Sequence, residues 1–182
     1  MYKKALMLSL KTKWARLILD GRKTIEIRKT APIHLFTPFK CYIYETKMHL
    51  PGRITWDGKP ADIGGKVIGE CIVDRIEPFD GLQTILNLSQ KEHHSSVNSL
   101  LRDSCVSPEE LQEYLMKKPS SNENIGVQYA DGYAWHISNV KTYNTPLDIA
   151  NFKKIVSTRF GWTDERMERA PQSWCYVEDR GI

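Results

Sequence analysis

Hydrophobic positions change period several times along the chain, and each change marks an element. Ala5 to Leu10 is a nearly continuous apolar run and reads as a strand. Trp14, Leu17 and Ile18 then recur at helical spacing, and Asp20-Gly21 supplies the stop, because glycine takes the left-handed conformation after a last helical turn at little cost. A short helix from about Trp14 to Asp20 is predicted. From Thr24 to Arg28 the period drops to two, which places Ile25 and Ile27 on one face and Thr24, Glu26 and Arg28 on the other. The expectation is a second strand with one core face and one polar face. After the loop Ala31 to Pro38, Lys40 to Thr46 is rich in residues that suit a pleated sheet and reads as the third strand.

The middle of the chain is less regular. Met48 to Gly65 holds Pro51, Gly52, Gly58, Pro60, Gly64 and Gly65, and reads as a long loop or a loop carrying a small hairpin. Within it Trp56, with Arg53 and Lys59, either closes over a ligand or packs locally, and packing is the commoner fate of a tryptophan. Lys66 to Ile76 is a β-rich run in which Gly69 marks a bulge or bend. Leu82 to Lys118 turns helical: Ser107-Pro108-Glu109-Glu110 has the form of an N-cap, a first-turn proline and early acidic residues. This is a helical insertion between strands. After a polar loop over Lys117 to Asn124, the aromatic-rich Ile125 to Tyr143 suggests a hairpin turning at Asp131-Gly132, with His136 a satisfied sheet histidine. Leu147 to Phe160 shows helical spacing in Ile149, Phe152, Ile155 and Val156, and Ser173 to Glu178 reads as a closing strand.

With 182 residues and 41% hydrophobic content, a single globular domain spanning 1–182 is expected. The first apolar run is cut off by Lys11, too short for a signal peptide or a membrane span, so a cytoplasmic protein without a membrane partner is expected. Cys41, Cys71, Cys105 and Cys175 are widely separated without a Cys-x-x-Cys pair, and His93-His94 would point about 100° apart on a helix. Neither a metal nor a cofactor is expected. Charge is uneven: residues 1 to 30 carry nine Lys or Arg against Asp20 and Glu26, a local charge of +7 in a chain whose total is +4. A basic end of this kind favours an anionic ligand through phosphate neutralisation.

The basic end contains Gly21-Arg22-Lys23-Thr24-Ile25-Glu26-Ile27-Arg28. A carboxylate flanked by Lys23 and Arg28 can form an ion-paired wall that aims donors at a ligand while Glu26 holds the cations in place. Together with the upstream Leu-Ser-Leu strand and the tryptophan-bearing helix, the pattern Gly-x-Lys-x-x-Glu-x-Arg resembles the ASCH (activating signal cointegrator homology) domain of the PUA-like superfamily. The resemblance covers Leu6 to about Thr46. Lys66 to Phe79, Tyr133 to Tyr143 and Ser173 to Glu178 are similar to its later strands. It implies an α+β fold: a PUA-like small mixed β-barrel with a short helix after the first strand and helical insertions, to which this chain adds a Gly/Pro-rich loop at 47–65 and a helical insertion at about 82–118.

The same resemblance implies recognition of a nucleic acid, RNA first, or of a nucleoside or nucleotide, in a basic cleft. Candidate ligand residues are Lys11, Lys13, Trp14, Lys23, Thr24, Glu26, Arg28, Tyr44 and Glu45. Lysine and arginine would meet phosphates or base acceptors, and Trp14 or Tyr44 would offer a stacking face. A hydrolase in the same cleft is the alternative, since family members are similar to amidohydrolases of acylated cytidines or to ribonucleases; Lys23 and Glu26 would then be catalytic. This chain departs from the amidohydrolase pattern, because Glu26 stands where that branch has its catalytic threonine and Thr24 lies one strand period earlier. A third alternative is a protein-interaction or transcription-coregulator-like domain acting through the helical insertion and its Glu109, Glu110 and Glu113.

Overall fold

The computed structural model describes residues 3–54, 60–89, 95–117 and 127–181. Trp56, Lys59, the Arg53 side chain and His93-His94 lie outside what is described. In chain order the elements are β1 (Lys4–Leu10), α1 (Thr12–Leu19), β2 (Ile25–Arg28), β3 (Phe39–Glu45), β4 (Met48–Ile54), β5 (Pro60–Ile63), β6 (Lys66–Phe79), α2 (Gly81–Ser89), α3 (Ser95–Ser104), α4 (Pro108–Leu115), β7 (Gly132–Leu147), a 3₁₀ turn (Ile149–Asn151), β8 (Lys153–Thr158), β9 (Gly161–Arg166) and β10 (Trp174–Glu178). Eight strands form one mixed sheet in the order β2-β7-β6-β3-β1-β10-β8-β9, and β4 pairs with β5 in a separate hairpin. The Gly/Pro-rich stretch therefore does carry a small hairpin. Residues divide into two compact units, Met1–Asp20 with Pro38–Ile72 and Asn139–Ile182, and Gly21–Thr37 with Val73–Ser138.

In the first unit, β1 pairs in parallel with β3 and antiparallel with β10, so its side chains are enclosed on both faces from Ala5 to Leu10. Ala5, Met7, Tyr42, Tyr44, Val67, Phe152, Cys175 and Val177 pack one core. Gly69 sits where a Cβ would lie 2.5 Å from the Lys141 carbonyl oxygen and 2.8 Å from Leu19 Cδ2. The glycine is thus a site of close backbone approach. The chain end is tied to this unit through Asp179, which accepts from the Tyr42 hydroxyl at 2.9 Å and the Gly181 N–H at 3.1 Å and pairs with Lys3 and Lys40. Burial alone would raise the Asp179 carboxyl, but these donors outweigh it and hold its pKa at about 2.

In the second unit, β2 pairs antiparallel with the start of β7, Ile25 opposite His136 and Arg28 opposite Tyr133. Ile25, Ile27 and Ala134 meet Leu111 and Leu115 of α4, with Ile85, Leu88, Leu100 and Leu101 of α2 and α3 around them. The helical insertion thus covers the isoleucine face of the strand. Its last helix begins at a complete capping box: the Ser107 hydroxyl accepts from the Glu110 N–H and the Glu110 carboxylate accepts from the Ser107 N–H, with Pro108 in the first turn. Glu109 accepts from the Ser107 hydroxyl at 2.8 Å, so this acidic stretch serves the helix start.

The polar face of β2 is enclosed: Glu26 and Arg28 are buried along with Ile25 and Ile27, while Thr24, just before the strand, is exposed. Two expectations are corrected. Asp131-Gly132 does not turn a hairpin; it opens the long β7, while Tyr129 makes an isolated bridge with Met116 and the Asp131 carboxylate accepts from the Gly81 N–H. The helix expected over Leu147 to Phe160 is a 3₁₀ turn followed by β8. There the β-branched Ile155 and Val156 favour an extended chain, and β9 pairs along the strand from Lys153–Arg166 to Thr158–Gly161. Strand β9 was missed because Gly-Trp-Thr-Asp-Glu-Arg offers one apolar residue to a periodicity search.

Candidate functional site

The octapeptide lies in the second unit and its charges are interior. Lys23 is 2% exposed, and its ammonium lies 3.2 Å from Glu26 Oε2 and donates to the Ser104 carbonyl at 2.6 Å. Arg28 Nε is 3.0 Å from the other Glu26 oxygen, Oε1. Both carboxylate oxygens are therefore paired with cations, Arg28 from β2 itself and Lys23 from the segment leading into it. Burial makes Glu26 the critical member, because its removal leaves two cations unneutralised in an enclosed site.

Ser104 ends α3, and the segment leading into β2 caps that end. The Thr24 N–H donates to the Asp103 carbonyl at 2.8 Å, the Lys23 ammonium takes the Ser104 carbonyl, and the Cys105 thiol meets the Arg22 carbonyl at 3.2 Å. Cys105 follows the helix at φ +54°, the left-handed conformation common just past a helix end. A cation at a helix C-terminus also faces the negative end of its dipole. Thr24 completes the junction by accepting from the Ile137 N–H through its own carbonyl. The motif thus works first as the joint between β2, β7 and the helical insertion.

Around the cluster, the Tyr114 hydroxyl is pushed up by burial, with Arg28 opposing and Glu26 adding to the shift. Lys29 lies 5.3 Å over the Tyr114 ring. On the isoleucine face, His136 Nε2 is 2.8 Å from the Glu77 carboxylate, which fits a satisfied sheet histidine. Neither Ser104 nor Tyr114 carries a sequence signal, since each lies about eighty or more positions from Lys23 with no shared period.

The remaining candidates belong to the first unit. Lys11 is the exposed N-cap position of α1, and its carbonyl accepts from Trp14 and Ala15. Lys13 is exposed with its ammonium 4.1 Å over the half-buried Trp14 ring. Glu45 is buried and paired with Arg16 at 3.2 Å. Tyr44 is a core residue whose hydroxyl is pushed up by burial. The structure therefore brings Lys23, Glu26 and Arg28 together, sets Lys13 with Trp14, and places Tyr44 and Glu45 in the interior of the first unit.

Among the described residues no group of three or more His, Cys, Asp or Glu side chains is arranged to hold a metal, and no helix is long and apolar enough to cross a membrane. Cys41, Cys71 and Cys175 are buried and in no disulfide, and burial pushes the Cys175 thiol up to about 11.

The chain matches the family model described as the ASCH domain over residues 8–147. No curated protein matches it. Among solved structures, the ASCH protein of Zymomonas mobilis is similar at 17% identity and TM-score 0.55, with 94% of this chain and 86% of that chain covered. A mutant form of that protein is similar at 16% identity and TM-score 0.56, with 94% and 87% covered. At these identities the likeness is one of fold.

Proposed function

Because the chain belongs to the ASCH domain family, we propose that it recognises a nucleic acid, RNA first, or a nucleotide-like small molecule, through the basic residues of its first thirty positions. The observation that carries this reading is the use of Glu26: both its oxygens are engaged, one by Lys23 and one by Arg28. A carboxylate spent in this way orients cations and is poorly placed to exchange protons with a substrate. Lys23, enclosed against the Ser104 carbonyl, likewise serves as a post for α3 and not as a free nucleophile. This favours recognition over hydrolysis of acylated cytidines or RNA.

The phosphate-facing groups in this proposal are the exposed Lys11 and Lys13 of the first unit, with Trp14 giving a ring edge. The PUA-like small-barrel plan and a cytoplasmic location are part of the same proposal. A protein partner at the helical insertion is the less favoured reading, since Glu109 and Glu110 are engaged in the cap of α4.

The test is equilibrium binding of labelled single-stranded RNA, duplex RNA, DNA and nucleosides to the full chain and to the Lys11→Glu/Lys13→Glu double variant. Binding that weakens at least about tenfold in the variant supports the proposal. Turnover of N4-acetylcytidine by the wild type, lost in Lys23→Ala, replaces it with the hydrolase reading.

A further inference from the structure

In the first unit a second group of side chains, remote in sequence from the octapeptide, has the composition of a ligand surface. The β8–β9 hairpin turns at Arg159-Phe160, and Phe160 is 96% exposed. The turn is fixed in shape: the Thr158 hydroxyl donates to the Gly161 carbonyl at 2.9 Å and accepts from the Phe160 N–H at 3.3 Å. An aromatic side chain is therefore held in water by a built turn, against the ordinary tendency of such a ring to be covered.

Beside it runs a row of half-buried rings. Trp162 of β9 meets Tyr176 of β10 edge to face with centroids 5.8 Å apart, and Tyr176 meets Trp174 at 5.5 Å. The Lys4 ammonium of β1 lies 3.4 Å over the Trp162 ring. Arg159 at the tip and Arg166 at the far end of β9 are both exposed. Acidic groups are present too, Asp164 and Glu178, and both are drawn to Lys153, at 3.0 Å and 3.8 Å.

We infer that this hairpin and the ring row beside it form a stacking platform for unpaired bases of a single-stranded nucleic acid. Rings interleaved with cations suit a base, which offers a π face next to a phosphate. The strand residues Ile155 and Val156 are buried or half-buried, Phe160 is the one large apolar residue fully out in water on this hairpin, and the exposed Arg159 beside it supplies the cation that a phosphate needs. The platform rests on the proposed function for its ligand class alone, and its residues are separate from those of the motif.

The experiment measures anisotropy of labelled oligo-dT and oligo-U of roughly 15 nucleotides with the full chain, across a salt series. Compared are the wild type, Phe160→Ala, Arg159→Ala and Lys13→Glu, with circular dichroism confirming the fold of each. Phe160→Ala is expected to weaken single-strand binding about 5- to 100-fold, to leave the salt slope unchanged, and to spare duplex binding. Arg159→Ala is expected to flatten the slope by about 0.7. If Phe160→Ala stays within about twofold of wild type while Lys13→Glu weakens binding, the platform is overturned and the proposed function survives. Absence of binding by the wild type at every salt overturns both. Loss of binding to anionic phosphatidylserine vesicles in Phe160→Ala, with oligonucleotide binding intact, overturns the platform in favour of a membrane contact.

Discussion

Replacing Glu26 by Gln removes one negative charge and almost no volume, so it isolates what the carboxylate does for its two cations. The Lys23, Glu26 and Arg28 side chains are 2%, 8% and 11% exposed, and the carboxylate oxygens lie 3.2 Å and 3.0 Å from the two nitrogens. Breaking a buried pair by removing one partner costs about 3–5 kcal/mol, because the remaining charge stays in a poorly solvated place. Here two cations share the lost carboxylate, while Lys23 keeps the Ser104 carbonyl at 2.6 Å as partial compensation. A loss near 3 kcal/mol is therefore expected. For a chain of this size it corresponds to a fall of about 6–12 °C in the unfolding midpoint.

Thermal unfolding should be followed by circular dichroism and by tryptophan fluorescence, since Trp135 stands opposite Glu26 in the β2–β7 ladder and is fully buried. A double-mutant cycle with Lys23→Met adds the decisive number: coupling of at least about 1 kcal/mol between positions 23 and 26. An E26Q protein within about 1 kcal/mol of wild type, or strictly additive variants, would show that the cluster is held by packing alone and would refute the reasoning.

Further tests address other parts of the fold. Gly69→Ala pushes a Cβ into the Lys141 carbonyl and should cost about 1–3 kcal/mol, read as a lower urea midpoint with unchanged slope. Asp179 has its folded pKa depressed from 3.8 to about 2, so its contribution is present above pH 4 and is lost as pH falls toward 2. An acid titration of stability should therefore lose about 2 kcal/mol over that window in wild type and much less in Asp179→Asn. Of the four thiols, only the half-buried Cys105 should react quickly with a disulfide reagent under native conditions, and Cys105→Ser should abolish that fast phase.

The strands and helices that announce themselves by composition were legible in the sequence. Strands β1, β3, β6 and β10, the short α1 with its glycine stop, and the capping box of α4 all follow from local residue chemistry. What failed were segments whose identity is decided by a distant partner. Ile155 recurs three residues after Phe152 as it would on a helix, yet β9 and β10 pair with this stretch and make it a strand. β9 is strongly polar and is stabilised as the edge partner of β8. For the candidate site, the mutual pairing of Lys23, Glu26 and Arg28 was readable from their closeness within one octapeptide. Their burial was not, because it depends on helices and a strand contributed from residues beyond 73. The role of Lys23 as the cap of α3 was hidden for the same reason: its acceptor is a backbone carbonyl 81 positions away.

The central claim, recognition of a nucleic acid by the basic residues of the first thirty positions, is tested most directly by the salt dependence of single-stranded RNA binding. Each neutralised phosphate contributes about −0.7 to the slope of log K against log salt. The account predicts a slope of about −2 or steeper for the wild type, with Lys11→Glu/Lys13→Glu shallower by at least about 1. Undetectable binding at low salt, or an affinity indifferent to salt and to both substitutions, would contradict it.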